Sequence, residues 1–245
     1  AWDEQHGGYF WFHDVDWSVK ERFKRADIVM HMIEGLSSLY AATGDARYRE
    51  ALARHGDLVA GPMIDRTHRC LREAFLPDWR ENLEQTKGLV SYGHNLEAAW
   101  FLWALDGILG TKAYSAVAEQ LLSFAVNYGW DREHGGFYSM GTPEGIPKAA
   151  EKVWWVQTEG IGALSMAYRL TGEERYAKLL RELLRFCSTY LYDDKYWEWY
   201  LSVEADGSEK DPRKGCDWKA AYHVVQALNH AYRNLTPNKP VSYLP

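Results

Sequence analysis

Three histidines and one glutamate recur at nearly constant spacing: His31, His94, Glu159 and His223 are separated by 63, 65 and 64 residues. An imidazole titrates at about 6.5, so it can both take up and release a proton at neutral pH. Two of the histidines carry a glutamate three residues on, in Met30-His31-Met32-Ile33-Glu34 and in His94-Asn95-Leu96-Glu97. A carboxylate one helical turn away can fix the tautomer of an imidazole and raise its basicity. Any one of these histidines fits a satisfied core position. Three in phase point instead to one shared cavity and to proton transfer. His6, His13, His55, His68, His134 and His230 fall out of phase and are assigned structural or surface roles.

The elements that must hold these residues are set by an internal repeat. Asp3-Glu4-Gln5-His6-Gly7-Gly8-Tyr9 returns 128 residues later as Asp131-Arg132-Glu133-His134-Gly135-Gly136-Phe137. Tyr40-Ala41-Ala42-Thr43-Gly44-Asp45 returns at the same offset as Tyr168-Arg169-Leu170-Thr171-Gly172-Glu173. The Thr-Gly-acid segments end one helix and start the next, with Gly as left-handed C-cap and the acid at the new N-terminus. The His-Gly-Gly-aromatic segments predict a turn into a short strand or hairpin. Between them, apolar periodicity predicts helix pairs over Ala26–Tyr40 with Ala46–Val59, Leu96–Leu109 with Tyr114–Tyr128, and Trp155–Leu170 with Arg175–Tyr190. A last helix over Lys219–Leu235 has no partner. The first helix of each pair is apolar nearly all round, which predicts an inner layer of first helices and an outer layer of second ones. The phased residues then share one depth near the inner-helix N-termini, whose partial positive charge favours a developing anion.

The chain has 245 residues, 47% of them hydrophobic, and a net charge of -6. That fits a single α/α-barrel domain over residues 1–245 with a substantial core. There is no basic stripe interleaved with aromatics, which argues against nucleic acid, and no apolar run long enough for a membrane span. Cys70, Cys187 and Cys216 lack metal-ligand spacing and fit a reducing, cytoplasmic compartment. The N-terminus lacks the basic and apolar regions of a signal peptide. The composition is rich in Trp (12) and Tyr (16), and large rings serve both as core filler and as platforms for sugar faces. A closed ring of six 64-residue hairpins needs about 380 residues, so this chain supplies about four; the abrupt N-terminus predicts that an N-terminal arc is missing.

Several local motifs together resemble the N-acylglucosamine 2-epimerase family, and within it the cellobiose 2-epimerases. They are Ser91-Tyr92-Gly93-His94-Asn95-Leu96-Glu97-Ala98-Ala99-Trp100, Trp154-Trp155-Val156-Gln157-Thr158-Glu159, the terminal Trp218-Lys219-Ala220-Ala221-Tyr222-His223, and Gly7-Gly8-Tyr9 followed by Asp16-Trp17 and Met30-His31. The Met30-His31 pair looks more like the mannose isomerases of the same superfamily. The resemblance implies an all-α, (α/α)6 toroid of helical hairpins with short β-hairpins at one end, and an isomerase with neither metal nor cofactor. It implies that His94 and His223 are the two acid/base residues on opposite faces of an open-chain sugar, with His31 aiding ring opening or holding substrate. Trp155 and Trp218 match the stacking tryptophans, and Glu97 and Glu159 the polar shell. Asp27, where the family commonly has Asn, and Tyr92 complete the expected substrate contacts. The partner is then a mono- or disaccharide, and the protein a monomer or homodimer.

The expected reaction is inversion at C2 of a reducing-end aldose through a cis-enediolate, and proton return to C1 instead gives aldose–ketose isomerisation. Three other classes share these residues. Three histidines and a glutamate suit zinc, although ligands spread evenly around a ring argue against it. Glu97 and Glu159 suit a glycoside hydrolase, which leaves the phased histidines unexplained. A ring lacking an arc suits a non-catalytic carbohydrate-binding protein.

Overall fold

The computed structural model describes residues 1–237; the end of the expected 1–245 domain lies outside the described residues. Eight helices follow in chain order: α1 (Ala26–Thr43), α2 (Ala46–Ala60), the single turn α3 (Leu83–Thr86), α4 (Tyr92–Leu109), α5 (Ser115–Phe124), α6 (Trp154–Thr171), α7 (Glu174–Phe186) and α8 (Tyr222–Leu235). Helices α1 and α2, α4 and α5, and α6 and α7 form antiparallel hairpins, and α8 packs on α6 with no outer partner among the described residues. The inner helices run side by side in the order α1, α4, α6, α8. The hairpin turns are as the repeat predicts. Gly44 and Gly172 cap α1 and α6 at φ of 66° and 70°, and Asp45 accepts the Arg47 N–H at the start of α2.

The predicted inner and outer layers hold for the middle of the arc. Nearly every residue of α4, and most of α6, is buried. They do not hold for α1, which buries only one face, through Val29, Met30, Ile33 and Leu36, and packs more lightly on α4 than α4 and α6 pack on each other. Boundaries shift as well. Helix α4 begins at Tyr92, four residues earlier than predicted, because Ser91 caps the His94 N–H. Helix α8 begins three residues later, at Tyr222, since the buried Lys219 is held outside it by Glu198 at 2.9 Å. Helices α5 and α7 each finish in a π-helical turn, over Ala125–Gly129 and Cys187–Leu191.

Short strands lead into three of the inner helices. Val19–Arg25 pairs with Phe10–His13 and Ala74–Phe75 and runs into α1. Val90–Ser91 pairs with Met140–Gly141 and runs into α4, and Lys152–Val153 pairs with Ser202–Val203 and runs into α6. The sheets therefore gather at the N-terminal ends of the inner helices, where the phased residues lie.

A turn built on one aspartate recurs four times, at Asp3, Asp65, Asp131 and Asp193. Each carboxylate accepts from the backbone N–H two residues on: Gln5, Thr67, Glu133 and Lys195. Each also meets a cation: Lys24, Arg72, Lys152 and Lys214. The sequence repeat displays only the first and third turns, because the Gly-Gly signature is absent at Asp65 and Asp193. Lys24 and Lys152 are fully buried and also donate to the Gly7 and Gly135 carbonyls, so each ammonium charge is compensated. Leaving one such buried charge without its partner costs about 3–5 kcal/mol.

Candidate active site

At the sheet-bearing end of the inner helices lies a cleft of about 370 Å³ lined by Trp11, Arg25, Asp27, His94, Glu97, Trp154, Trp155, Trp218 and His223. The phased residues converge here, but at two depths rather than the single depth predicted. Asp27, Trp155 and His223 are second residues of α1, α6 and α8, and His94 is the third of α4. His31, Glu97 and Glu159 are the sixth residues of α1, α4 and α6, one turn deeper. A near-constant sequence interval therefore places these residues on successive inner helices without fixing the turn each one occupies.

At the upper level the Trp155 ring neighbours both imidazoles, 4.9 Å from the His94 ring centre and 5.8 Å from that of His223. Gly93 makes room for it, since a Cβ there would lie 2.4 Å from the indole. The Nδ1 of His94 bonds Glu73 Oε2 at 2.5 Å, and that of His223 bonds Glu159 Oε1 at 2.8 Å. With Nδ1–H donated to a carboxylate, Nε2 carries the lone pair, so each ring offers a base toward the cleft. Burial disfavours the charged form of His94, but the charge and hydrogen bond of Glu73 outweigh it and raise its pKa.

The i, i+3 reading therefore holds for one histidine and fails for another. His31 Nδ1 bonds Glu34 at 2.8 Å. His94 takes its carboxylate from Glu73, 21 residues earlier, and not from Glu97. The strand pairing Arg25 with Ala74 brings Glu73 to the N-terminus of α4, where its Oε1 also accepts the Ser91 N–H at 2.9 Å. Glu97 points deeper. Glu159 holds two donors, His223 on one oxygen and the Trp100 indole on the other at 2.7 Å.

Around this pair, Asp27 is clamped by Arg25 through contacts of 3.0 and 3.1 Å, and the Arg25 guanidinium stacks on Trp11 at 4.6 Å. Trp218 reaches the cleft from the loop before α8 and is 80% exposed. His31 is exposed and does not line the cleft; its Nε2 lies 4.0 Å from Glu97 Oε1. Glu34 accepts from the Tyr222 hydroxyl at 2.5 Å and from Gln226 at 2.6 Å, which ties α1 to α8. Burial opposes ionisation of Glu34, but the bonds from His31, Tyr222 and Gln226 prevail and lower its pKa.

Tyr92 is a correction. It is fully buried on the opposite side of α4, against Phe124, Gly129 and Gly141, so it contacts no substrate from the cleft. A helix turns about 100° per residue, so Tyr92 and His94 project on different sides. The reading from motif and spacing passes over Glu73, Trp11 and Arg25, which lie on strands or strand ends and share no period with the inner helices. Among the described residues, the atoms close enough to hold a metal ion belong to Glu97, Glu159 and His223, within 4.8 Å of one another. His31 and His94 stand outside that group, so a site of three histidines is not formed.

The family model for N-acylglucosamine 2-epimerase matches residues 1–227. A D-mannose isomerase of Marinomonas mediterranea is 25% identical over 96% of this chain and 62% of its own length. A cellobiose 2-epimerase of Bacteroides fragilis is 28% identical over 79% of this chain and 49% of its own length. A crystal structure of a D-mannose isomerase superposes with a TM-score of 0.87 at 24% identity, covering 96% of this chain and 62% of that one. The chain thus spans about half to three-fifths of the length of these proteins. The helical hairpins are those of this (α/α)6 toroid class.

Proposed function

Since the chain belongs to the N-acylglucosamine 2-epimerase family, we propose that its cleft interconverts sugars by proton transfer at C2 of an open-chain aldose, with His94 and His223 as the acid/base pair. The observation that carries this reading is the pair of carboxylate-oriented imidazoles that line one cleft beside Trp155. One Nε2 removes the C2 proton, and the electron pair moves into an enediolate with its charge on oxygen. After the intermediate turns, the other imidazole delivers a proton to the opposite face of C2 and the aldehyde re-forms. Glucose-type and mannose-type sugars are interconverted, with cellobiose among the candidates. Delivery to C1 gives a ketose instead, and the D-mannose isomerase relative supports that alternative.

Trp155 supplies the face on which the sugar turns, and the exposed Trp218 ring covers it from the rim. Asp27, fixed by Arg25, accepts from sugar hydroxyls. His31 assists ring opening from the deeper level. A cytoplasmic location suits the three free thiols. The hydrolase reading fares worse. It requires one free acid and one free carboxylate, and both oxygens of Glu159 are taken by His223 and Trp100.

The test is NMR in deuterated water with glucose, mannose, cellobiose and N-acetylglucosamine. Deuterium at C2 with appearance of the epimer supports epimerisation, and deuterium at C1 of a ketose product supports isomerisation. Replacing His94 or His223 with Ala lowers interconversion by about 10²–10⁴-fold. Interconversion at the wild-type rate in either variant overturns the assignment. Sugar binding with no exchange in the wild type points to a binding protein.

A further inference from the structure

Five carboxyl groups surround the cleft, and four of them are compensated. Asp27 is held by Arg25, Glu34 by His31, Tyr222 and Gln226, Glu73 by His94 and the Ser91 N–H, and Glu159 by His223 and Trp100. Glu97 is the exception. It is 1% exposed, and neither of its oxygens has a hydrogen-bond partner among the described residues. The nearest cation-forming group, His31 Nε2, is 4.0 Å away, beyond hydrogen-bond reach. An ionised carboxylate buried without a donor and surrounded by like charge is strongly disfavoured.

The reaction raises a related difficulty. An enediolate is an anion, and the cleft that forms it is lined by Asp27 and Glu97, with Glu34, Glu73 and Glu159 behind the lining. A donor is needed where its oxygen becomes charged, in a place shielded from water. We propose that Glu97 is held as the neutral carboxylic acid in the resting protein, and that its O–H is the hydrogen-bond donor to the enediolate oxygen of the sugar. The proton stays on Glu97 throughout: it is shared with the oxyanion, while the transferred protons move through His94 and His223. This rests on the proposed function for the sugar and its C2 chemistry.

Burial comes first in holding the acid neutral, followed by the charges of Glu159, Glu34, Asp27 and Glu73, and the result lies well above the ordinary carboxyl range. The opposing cations are few. His31 faces Glu97 from α1, His223 faces it from α8, and Arg25 is spent on Asp27. The neutral form also lifts a conflict at the deeper level, where an ionised Glu97 would repel the buried Glu159.

Two measurements on the full chain test this. Infrared difference spectroscopy of wild type against E97Q at neutral pH is expected to show a protonated-carboxyl stretch in the wild type that the variant lacks. Interconversion assays compare E97Q, which keeps a neutral donor, with E97A, which keeps none. E97A is expected to lose about 10²–10³-fold in kcat and E97Q at most about tenfold. A missing band, E97Q as slow as E97A, or a stoichiometric metal ion whose chelation alters the carboxylate bands overturns the proposal. A band that is present in a protein with no C2 exchange supports the protonated state and overturns the reaction assignment instead.

Discussion

The His94 and His223 sides of the cleft reach the same chemical arrangement by different routes. In both, a glutamate takes Nδ1 of an imidazole in the first turn of an inner helix. For His223 that glutamate is Glu159, buried on the neighbouring inner helix and also bonded to Trp100. For His94 it is Glu73, which immediately precedes the edge strand Ala74–Phe75 of a small sheet and otherwise bonds a backbone amide. A helix-borne partner is fixed by core packing, whereas a strand-borne partner is fixed by sheet pairing. The His223 side should therefore be the stiffer and the His94 side the easier to retune.

The largest effect should come from removing one side altogether. H94A and H223A should each lose epimer interconversion, yet each should still exchange the C2 proton of one epimer, and not the same one. An imidazole left alone can remove a proton from its own face and return it there. Deuterium incorporation measured separately for the two epimers checks this. The same epimer surviving in both variants would mean that the rings do not address opposite faces.

Next come the glutamates. E159Q should cost about 100-fold in kcat and E73Q about tenfold, within the range found for groups that orient a catalytic imidazole. E73Q should also lower the His94 pKa, because Glu73 is what raises it against burial. The sign follows from linkage. A histidine whose folded pKa is raised contributes stability that is fully present below its unfolded value and is lost as pH rises through the folded one. Wild type should thus lose part of its stability as pH climbs past about 6.5, and E73Q should lose less. NMR titration of His94 and thermal melts across that range provide the check.

The ring between the two sides offers a further test. A G93A Cβ would meet the Trp155 indole at 2.4 Å, so the ring must leave its place beside the histidines. Interconversion should fall by about 10- to 100-fold through misplacement of the sugar, with the Glu73–His94 and Glu159–His223 bonds intact. A small change in kcat alongside a large rise in KM would assign Trp155 to binding alone.

This contrast also explains what the sequence discloses. His223 and Glu159 are one repeat unit apart, so the interval places them on neighbouring inner helices, though at one depth rather than the two they occupy. Glu73 and His94 meet because Arg25 pairs with Ala74 across a sheet, and nothing periodic announces that register. Trp11 and Arg25 escape notice for the same reason. The helix pairs and their glycine caps are readable because apolar period and Thr-Gly-acid turns are local signals. Depth is not readable, because it depends on where each helix begins, which the apolar period alone misplaces for α4 and α8. Tyr92 shows how a motif misleads: its neighbours in Ser91-Tyr92-Gly93-His94 share a sequence but not a side of the helix.

Tyr92 accordingly supplies the smallest expected effect, and a control for the His94 side. Its hydroxyl is buried without a hydrogen-bond partner, and burial pushes its pKa up to about 12. Y92F removes that hydroxyl and leaves the packing of the ring on Phe124 in place. Stability should change by no more than about 0.5 kcal/mol, toward higher Tm if at all, since an unsatisfied buried group is lost. Interconversion should match the wild type for every sugar. A substantial kinetic defect in Y92F would show that the back of α4 is coupled to His94, and that the two sides differ in more than the origin of their glutamates.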